Sequence, residues 1–318
     1  MLIPLLIVIA VWVVAYTNGA NANFKGVASL YGSGSTSYRT AVNWAAVTTV
    51  AGCVAAMFMA AEMLKTFSGK GLVPEWLIAQ PLFLFAVAAG AGATGFLATR
   101  LGFPVSTTHM LTGALLGAGT MADAGAVNSA KLWESFLKPL LFSPVLALMA
   151  GAVLHWILKF VRLAPDHRTR TLDTLHFLSA GAVGFARGLN DTPKMAALLL
   201  GVGWLSGRGD MVLIALAMAA GGLISAGQVA ETLAHKITDM NPGEGFAANF
   251  ATALLVTTAT LHGLPVSTTH VSVGALLGIG ITTRQAKWRT VIPVLLAWVI
   301  TLPCAALMSG AVWWLITI

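Results

Sequence analysis

The sequence predicts an all-α polytopic membrane protein, an inverted-topology repeat with two broken helices and two re-entrant helical hairpins. Three observations lead there. Hydrophobic residues make up 57% of the 318 residues and charged residues only 9%, with a mean hydropathy of +0.83. A water-soluble domain carries about 25% charged residues, so lipid is the solvent for this chain. A polar motif occurs twice: residues 102–119 read GFPVSTTHMLTGALLGAG and residues 263–280 read GLPVSTTHVSVGALLGIG, identical at 13 of 18 positions. Finally, basic residues gather in two loops, 159–170 and 284–289. The long apolar runs, such as 140–157 and 291–316, are rich in Gly, Ala and Leu and lack the alternation of a membrane barrel.

The duplication divides the chain into a first repeat, 1–160, and a second, 161–318, which together form one integral membrane domain. A weaker copy supports the division. Gly19-Ala20-Asn21-Ala22-Asn23-Phe24-Lys25, continuing to Gly32 and Gly34, aligns with Gly188-Leu189-Asn190-Asp191-Thr192-Pro193-Lys194, continuing to Gly201 and Gly203. The offset is 169 residues here and 161 for the PVSTTH copies. Each half then reads in the same order. A long helix broken at the Gly-Asn segment (2–33 and 172–203) precedes a plain span (40–64 and 211–236). An apolar stretch with PVSTTH in its middle follows (77–121 and 246–283), and a last span closes the half (132–160 and 288–317).

Charge decides how the PVSTTH stretch meets the membrane. Lys159, Arg162, Arg168 and Arg170 mark one loop as cytoplasmic; Arg284, Lys287 and Arg289 mark the other. Two crossings and one hairpin between these loops put both on the same side, whereas three crossings do not. PVSTTH is therefore read as the tip of a hairpin that enters and leaves on one face. Each half crosses three times, and an odd number makes the halves antiparallel. Both termini are expected outside, in a bacterial inner (cytoplasmic) membrane. The formal charge of +7 reads as topology rather than as a nucleic-acid surface. The N-terminus lacks the basic n-region and cleavage site of a signal peptide. Cys53 and Cys304 stand apart in apolar context, as packing residues and not as a metal site. Trp12, Trp76, Trp133, Trp156 and Trp313 are expected in the interfacial belts.

The duplicated motif suits an oxyanion. Pro104 and Pro265 are expected to stop the incoming half-helix, and Ser106 and Ser267 to cap the outgoing one. The Ser-Thr-Thr turn then presents free N–H groups, hydroxyls and the positive end of the helix dipole. Glycines 113, 117 and 119, and 274, 278 and 280, allow close packing around such a site. Asn21, Asn23, Asn190 and Asp191 offer hard oxygen ligands for a small cation or a hydrogen-bonded guest. Lys25 and Lys194 either need an anionic partner at midplane or snorkel to an interface. His109 and His270 suit a hairpin-tip hydrogen bond better than a proton relay. Arg187 reads as a neighbour of Asn190 or as a paired structural charge, and Arg100 as paired within the protein. No nucleophile with an orienting acid and no GxxxxGK[ST] sequence is present, so neither an enzyme nor an ATP-driven pump is supported.

With PVSTTH twice, GANANFKG and GLNDTPK, the chain resembles the inorganic phosphate transporter (PiT) family over nearly its whole length. That resemblance implies inverted repeats, two re-entrant hairpins, a homodimer, and secondary active transport of phosphate with Na⁺ or H⁺ and no other cofactor. It implies that Ser106, Thr107, Thr108, Ser267, Thr268 and Thr269 bind phosphate, with Asn21, Asn190 and Asp191 completing the substrate and cation sites; Lys25 and Lys194 are expected among the substrate-binding residues on their own charge. The chain departs from the family pattern twice: Ala22 stands where the second copy has Asp191, and lysines stand where sodium-coupled members carry Asn. The missing carboxylate keeps two rivals open, a carrier of sulfate or another tetrahedral oxyanion, and an inactive or non-transporting member.

Overall fold

The computed structural model describes residues 2–160, 169–203 and 207–318. Arg162 and Arg168, counted above among the loop cations, lie outside the described residues. The described chain is helical; it has no strand, only isolated bridges between Lys70 and Val73 and between Thr238 and Ala286.

In the first half, α1 (Leu2–Ala22) runs through a 3₁₀ turn (Asn23–Lys25) into the short α2 (Ala28–Gly32). Then come α3 (Tyr38–Met59), α4 (Ala61–Phe67) and α5 (Glu75–Ile78). A hairpin of α6 (Pro81–Arg100) and α7 (Thr107–Ala122) follows. The half closes with α8 (Ser129–Leu132), a π-helical turn (Trp133–Leu137) and α9 (Lys138–Phe160). The second half repeats the order: α10 (Arg170–Ala196) with a 3₁₀ turn (Ala197–Leu199), α11 (Gly207–Ser225), α12 (Gly227–His235), the hairpin α13 (Pro242–Leu261) and α14 (Thr268–Thr282), and α15 (Trp288–Thr317).

The packing is reciprocal. α1 lies on α11 and α6, while its counterpart α10 lies on α3 and α13; α7 lies on α15, while α14 lies on α9. Each contact maps onto another when the halves are exchanged, which is a pseudo-twofold arrangement. Each hairpin is thus clamped by the closing span of the opposite half. Glycine makes the clamp possible. A β-carbon at Gly117 would run into the Ala306 carbonyl, and one at Gly278 into the Leu148 carbonyl.

The hairpin arms end by a different device from the one expected. α6 closes in a Schellman motif: Gly102 N–H donates to Thr99 O (3.1 Å) and Phe103 N–H to Ala98 O (3.0 Å), with Gly102 at φ +71°. α13 ends the same way, through Gly263 (φ +64°) to Thr260 O and Leu264 to Ala259 O. The left-handed turn already stops the helix. Pro104 and Pro265 add a fixed φ of their own and keep the preceding Phe103 and Leu264 out of the helical region.

The two broken helices differ. The first unwinds at Asn23–Lys25, as expected. In the second, α10 continues through Asn190, Asp191 and Lys194, and tightens only at Ala197–Leu199. Its backbone lies close against α3, where a β-carbon at Gly52 would meet Phe185 O and one at Gly188 would meet Thr49 O, and Gly19 and Gly221 bring α1 as close to α11. Among the described residues six helices are long and apolar enough to cross a membrane, including Pro81–Arg100, the first hairpin's incoming arm. α10 is not among them, since Arg187, Asp191 and Lys194 lower its hydropathy. It tolerates these charges because it is wrapped by protein rather than lipid. Of the expected belt residues, Trp12, Trp76, Trp133 and Trp156 are exposed. Trp313 is instead buried, edge-on to Phe83.

Candidate oxyanion site

The two hairpin tips meet in the interior. Thr108 Oγ1 donates to Val266 O (2.9 Å), and Thr269 Oγ1 donates to Val105 O (2.6 Å). Each tip thus offers the carbonyl that the other tip's threonine takes. Ser106 and Ser267 cap α7 and α14 by accepting the backbone N–H of His109 (3.2 Å) and His270 (3.1 Å). The first turns of two helices therefore converge, with Thr107, Thr108, Thr268 and Thr269 all buried. The Thr268 hydroxyl has no hydrogen bond to a described residue, whereas its counterpart Thr107 accepts from Asn18 Nδ2 at 2.7 Å.

The asparagines hold the tips. Asn21 Oδ1 accepts Val105 N–H (2.9 Å), and its Nδ2 donates to Phe103 O (2.9 Å) and Thr99 Oγ1 (3.2 Å). Asn190 does the same for the second tip less tightly. Its Oδ1 accepts from Thr260 Oγ1 (3.0 Å), and its Nδ2 donates to Val266 O (3.4 Å) and Asp191 Oδ1 (3.2 Å). Asn21 spends both ends of its amide on the tip, which makes it a positioning group. Thr99 and Thr260 were not singled out in the sequence. Their separation of 161 residues, the offset of the PVSTTH copies, is the signal that pairs them.

Charge gathers behind the tips. Lys194 Nζ donates to Asp191 Oδ1 (3.1 Å), Thr108 Oγ1 (2.8 Å) and Val266 O (3.1 Å). Lys25 Nζ donates to the equivalent carbonyl, Val105 O (3.4 Å), but faces Ala22 where Lys194 has Asp191. Both lysines are at most 2% exposed, which removes the snorkelling alternative. Arg187, equally buried, donates to Asn18 Oδ1 (2.9 Å), Asn23 Oδ1 (3.3 Å) and Thr49 Oγ1 (3.0 Å). Asn18 links the cluster, since its Nδ2 also donates to Asp191 Oδ2 (2.9 Å). Asn18 was missed in the sequence as well, although the 169-residue offset sets it opposite Arg187. Asn23 lies behind Arg187, away from the tips.

Neither histidine ring bonds to a tip; only their backbone N–H groups do. The rings of His109 and His270 face each other at 4.5 Å, and His270 stacks on Trp298 at 3.9 Å. They line an apolar cavity of about 530 Å³ between α9 and α15. Arg100 is exposed, lies over the Phe96 ring at 5.0 Å, and borders a polar cavity of about 390 Å³. Thr17, Ser225, Gln228 and Thr99 also line that cavity, so it reaches a hydroxyl bonded to Asn21.

Chemically, the centre offers two helix N-termini, threonine hydroxyls, three cationic side chains and one carboxylate, all shielded from water. Such a set fits a small, multiply charged oxyanion. Residues 18–309 match the model of the phosphate transporter family. A probable low-affinity inorganic phosphate transporter of Rhizobium meliloti (strain 1021) is 31% identical over 313 residues, spanning 93% of this chain and 91% of its own. A protein of the same description from Bacillus subtilis (strain 168) is 26% identical over 331 residues, spanning 99% and 98%. A solved structure described as "The sodium-dependent phosphate transporter" shares the fold, with a TM-score of 0.88 at 22% identity and coverage of 100% and 99%. By the family match over most of its length and its likeness to the Rhizobium relative, the chain belongs to the phosphate transporter family.

Proposed function

We propose that the chain is a secondary active transporter of inorganic phosphate, coupled to a cation and working by alternating access, and not an enzyme. One observation carries the reading: Lys25, Arg187 and Lys194 surround a single carboxylate, Asp191, behind two converging helix N-termini. Thr107, Thr108, Thr268 and Thr269 with their N–H groups contact the anion, and Ser106 and Ser267 shape the turns. Lys25 and Lys194 supply charge, and Asn21 and Asn190 fix the tips. Asp191 accepts the proton of protonated phosphate, a bond sulfate has no proton to make. The tips join through reciprocal threonine–carbonyl bonds, so parting them on one face and closing them on the other exposes the site alternately. The halves would then be antiparallel in a bacterial inner membrane, with both termini outside, and the transporter a homodimer.

The test is uptake of labelled phosphate into vesicles holding the purified protein, under an imposed Na⁺ or H⁺ gradient. Accumulation displaced by phosphate more strongly than by sulfate supports the reading. Preferential sulfate uptake supports the rival that Ala22 favours. Absence of both flux and binding would leave a non-transporting member of the family.

A further inference from the structure

We propose that the site takes phosphate as the dianion HPO₄²⁻ and balances it with the protein's own cations, with no metal cation bound beside it. The inference rests on the phosphate reading and specifies the ionic form at that site. Among the described residues, the buried ionisable groups at the tips are Lys25, Arg187 and Lys194 against Asp191, which with all four ionised give an excess of two positive charges. The other buried acids are remote: Asp210 lies in the first turn of α11, and Glu244 in the first turn of α13, the far end of that arm from its tip. The imidazoles of His109 and His270 adjoin the tips but turn toward each other and Trp298. In a medium that solvates ions poorly, the occupied state of lowest cost is the neutral one. A dianion brings the total to zero. A monoanion leaves one positive charge over, and so does a dianion accompanied by Na⁺.

The lysine contacts point the same way. Lys194 Nζ is held by a carboxylate, a hydroxyl and a tip carbonyl, the oxygen set that a hard monovalent cation would take. Lys25 Nζ sits on the equivalent carbonyl of the other tip. The carboxylate that would call for one more cation in that half is absent, because position 22 is alanine.

The experiment is binding of labelled inorganic phosphate to the purified protein in lipid nanodiscs, from about pH 5.5 to about pH 8, in sodium and in choline buffers. The expected result is an affinity for total phosphate that falls about tenfold per pH unit below the second ionisation of phosphate, equally in both buffers. Affinity that stays level or tightens in acid would assign the monoanion and overturn the proposal. So would binding at least about tenfold weaker in choline, which would require a metal cation. In Lys25→Met the excess falls to one positive charge, so the acid loss should vanish; a variant that binds phosphate with the unaltered pH slope overturns the charge count. Should that variant fail to fold, the slope of the unmodified protein alone decides. Absence of phosphate binding at every pH in both buffers would instead sink the proposed function.

Discussion

The two halves of the site share a frame and differ in charge. Around the first tip, Asn21, Lys25 and Thr269 bond the backbone of Phe103 and Val105, with Thr99 on Asn21; around the second, Asn190, Lys194 and Thr108 bond Val266 O, with Thr260 on Asn190. The lysine and threonine bonds to Val105 O and Val266 O correspond across the halves. The charges do not. Asp191 faces Lys194 where Ala22 faces Lys25, and Arg187 stands where the first half has Asn18. Duplication therefore accounts for the geometry, which needs matched backbone turns. The difference at two matched positions, Ala22 against Asp191 and Asn18 against Arg187, accounts for the electrostatics, and those positions set which ion the geometry receives.

Seven substitutions break or sharpen this comparison. The largest effect is expected from Asp191→Asn, which strips the carboxylate that, among the described residues, lies with three buried cations. Removing one partner of a buried ion pair costs about 3–5 kcal/mol, so thermal unfolding in detergent should shift far down and phosphate uptake should be lost. Ala22→Ser, at the matched position, should change either measurement little. Next, Ala22→Asp would make the halves alike. It gives Lys25 a carboxylate and lowers the excess charge by one, as Lys25→Met does, so in choline the loss of phosphate binding in acid should vanish. Unaltered binding in choline would mean that the asymmetry carries no function.

Smaller effects probe the frame. Thr108 serves two partners, Val266 O and Lys194 Nζ, whereas Thr269 serves one. Thr108→Val should cost about 2 kcal/mol and Thr269→Val about 1 kcal/mol, read from denaturation midpoints. Equal costs would place Lys194 elsewhere. Ser106→Ala and Ser267→Ala should each cost about 1 kcal/mol, and by the same amount, because the two caps accept equivalent bonds of 3.2 and 3.1 Å.

The hairpins and their caps were legible in the sequence because a polar motif repeated in an apolar chain has few other uses. The order of spans was legible for the same reason. What was not legible depends on packing. Gly188, Asn190 and Pro193 look like a helix break, yet α10 passes through them, while α1, packed as closely on α11 through Gly19 and Gly221, unwinds after Ala22. Asn18, Thr99 and Thr260 are single polar residues on apolar helices, a pattern that fits helix-to-helix hydrogen bonds equally well. Only the repeat offsets mark them, and those offsets acquire meaning once the tips are seen to meet. The imidazoles were misread because a histidine next to a cap contributes its backbone N–H, leaving the ring to pack on Trp298. Trp313 was misread because near the end of a long helix an indole facing Phe83 and one facing lipid occupy the same kind of sequence position.

The most direct test is an experimental density map of the protein in lipid with inorganic phosphate present. The account predicts one tetrahedral feature touched by the first turns of both α7 and α14, within hydrogen-bonding distance of Thr107, Thr108, Thr268 or Thr269, and neighboured by Lys25 and Lys194. Phosphate density confined to the cavity beside Arg100, or lying against one tip alone, would contradict it.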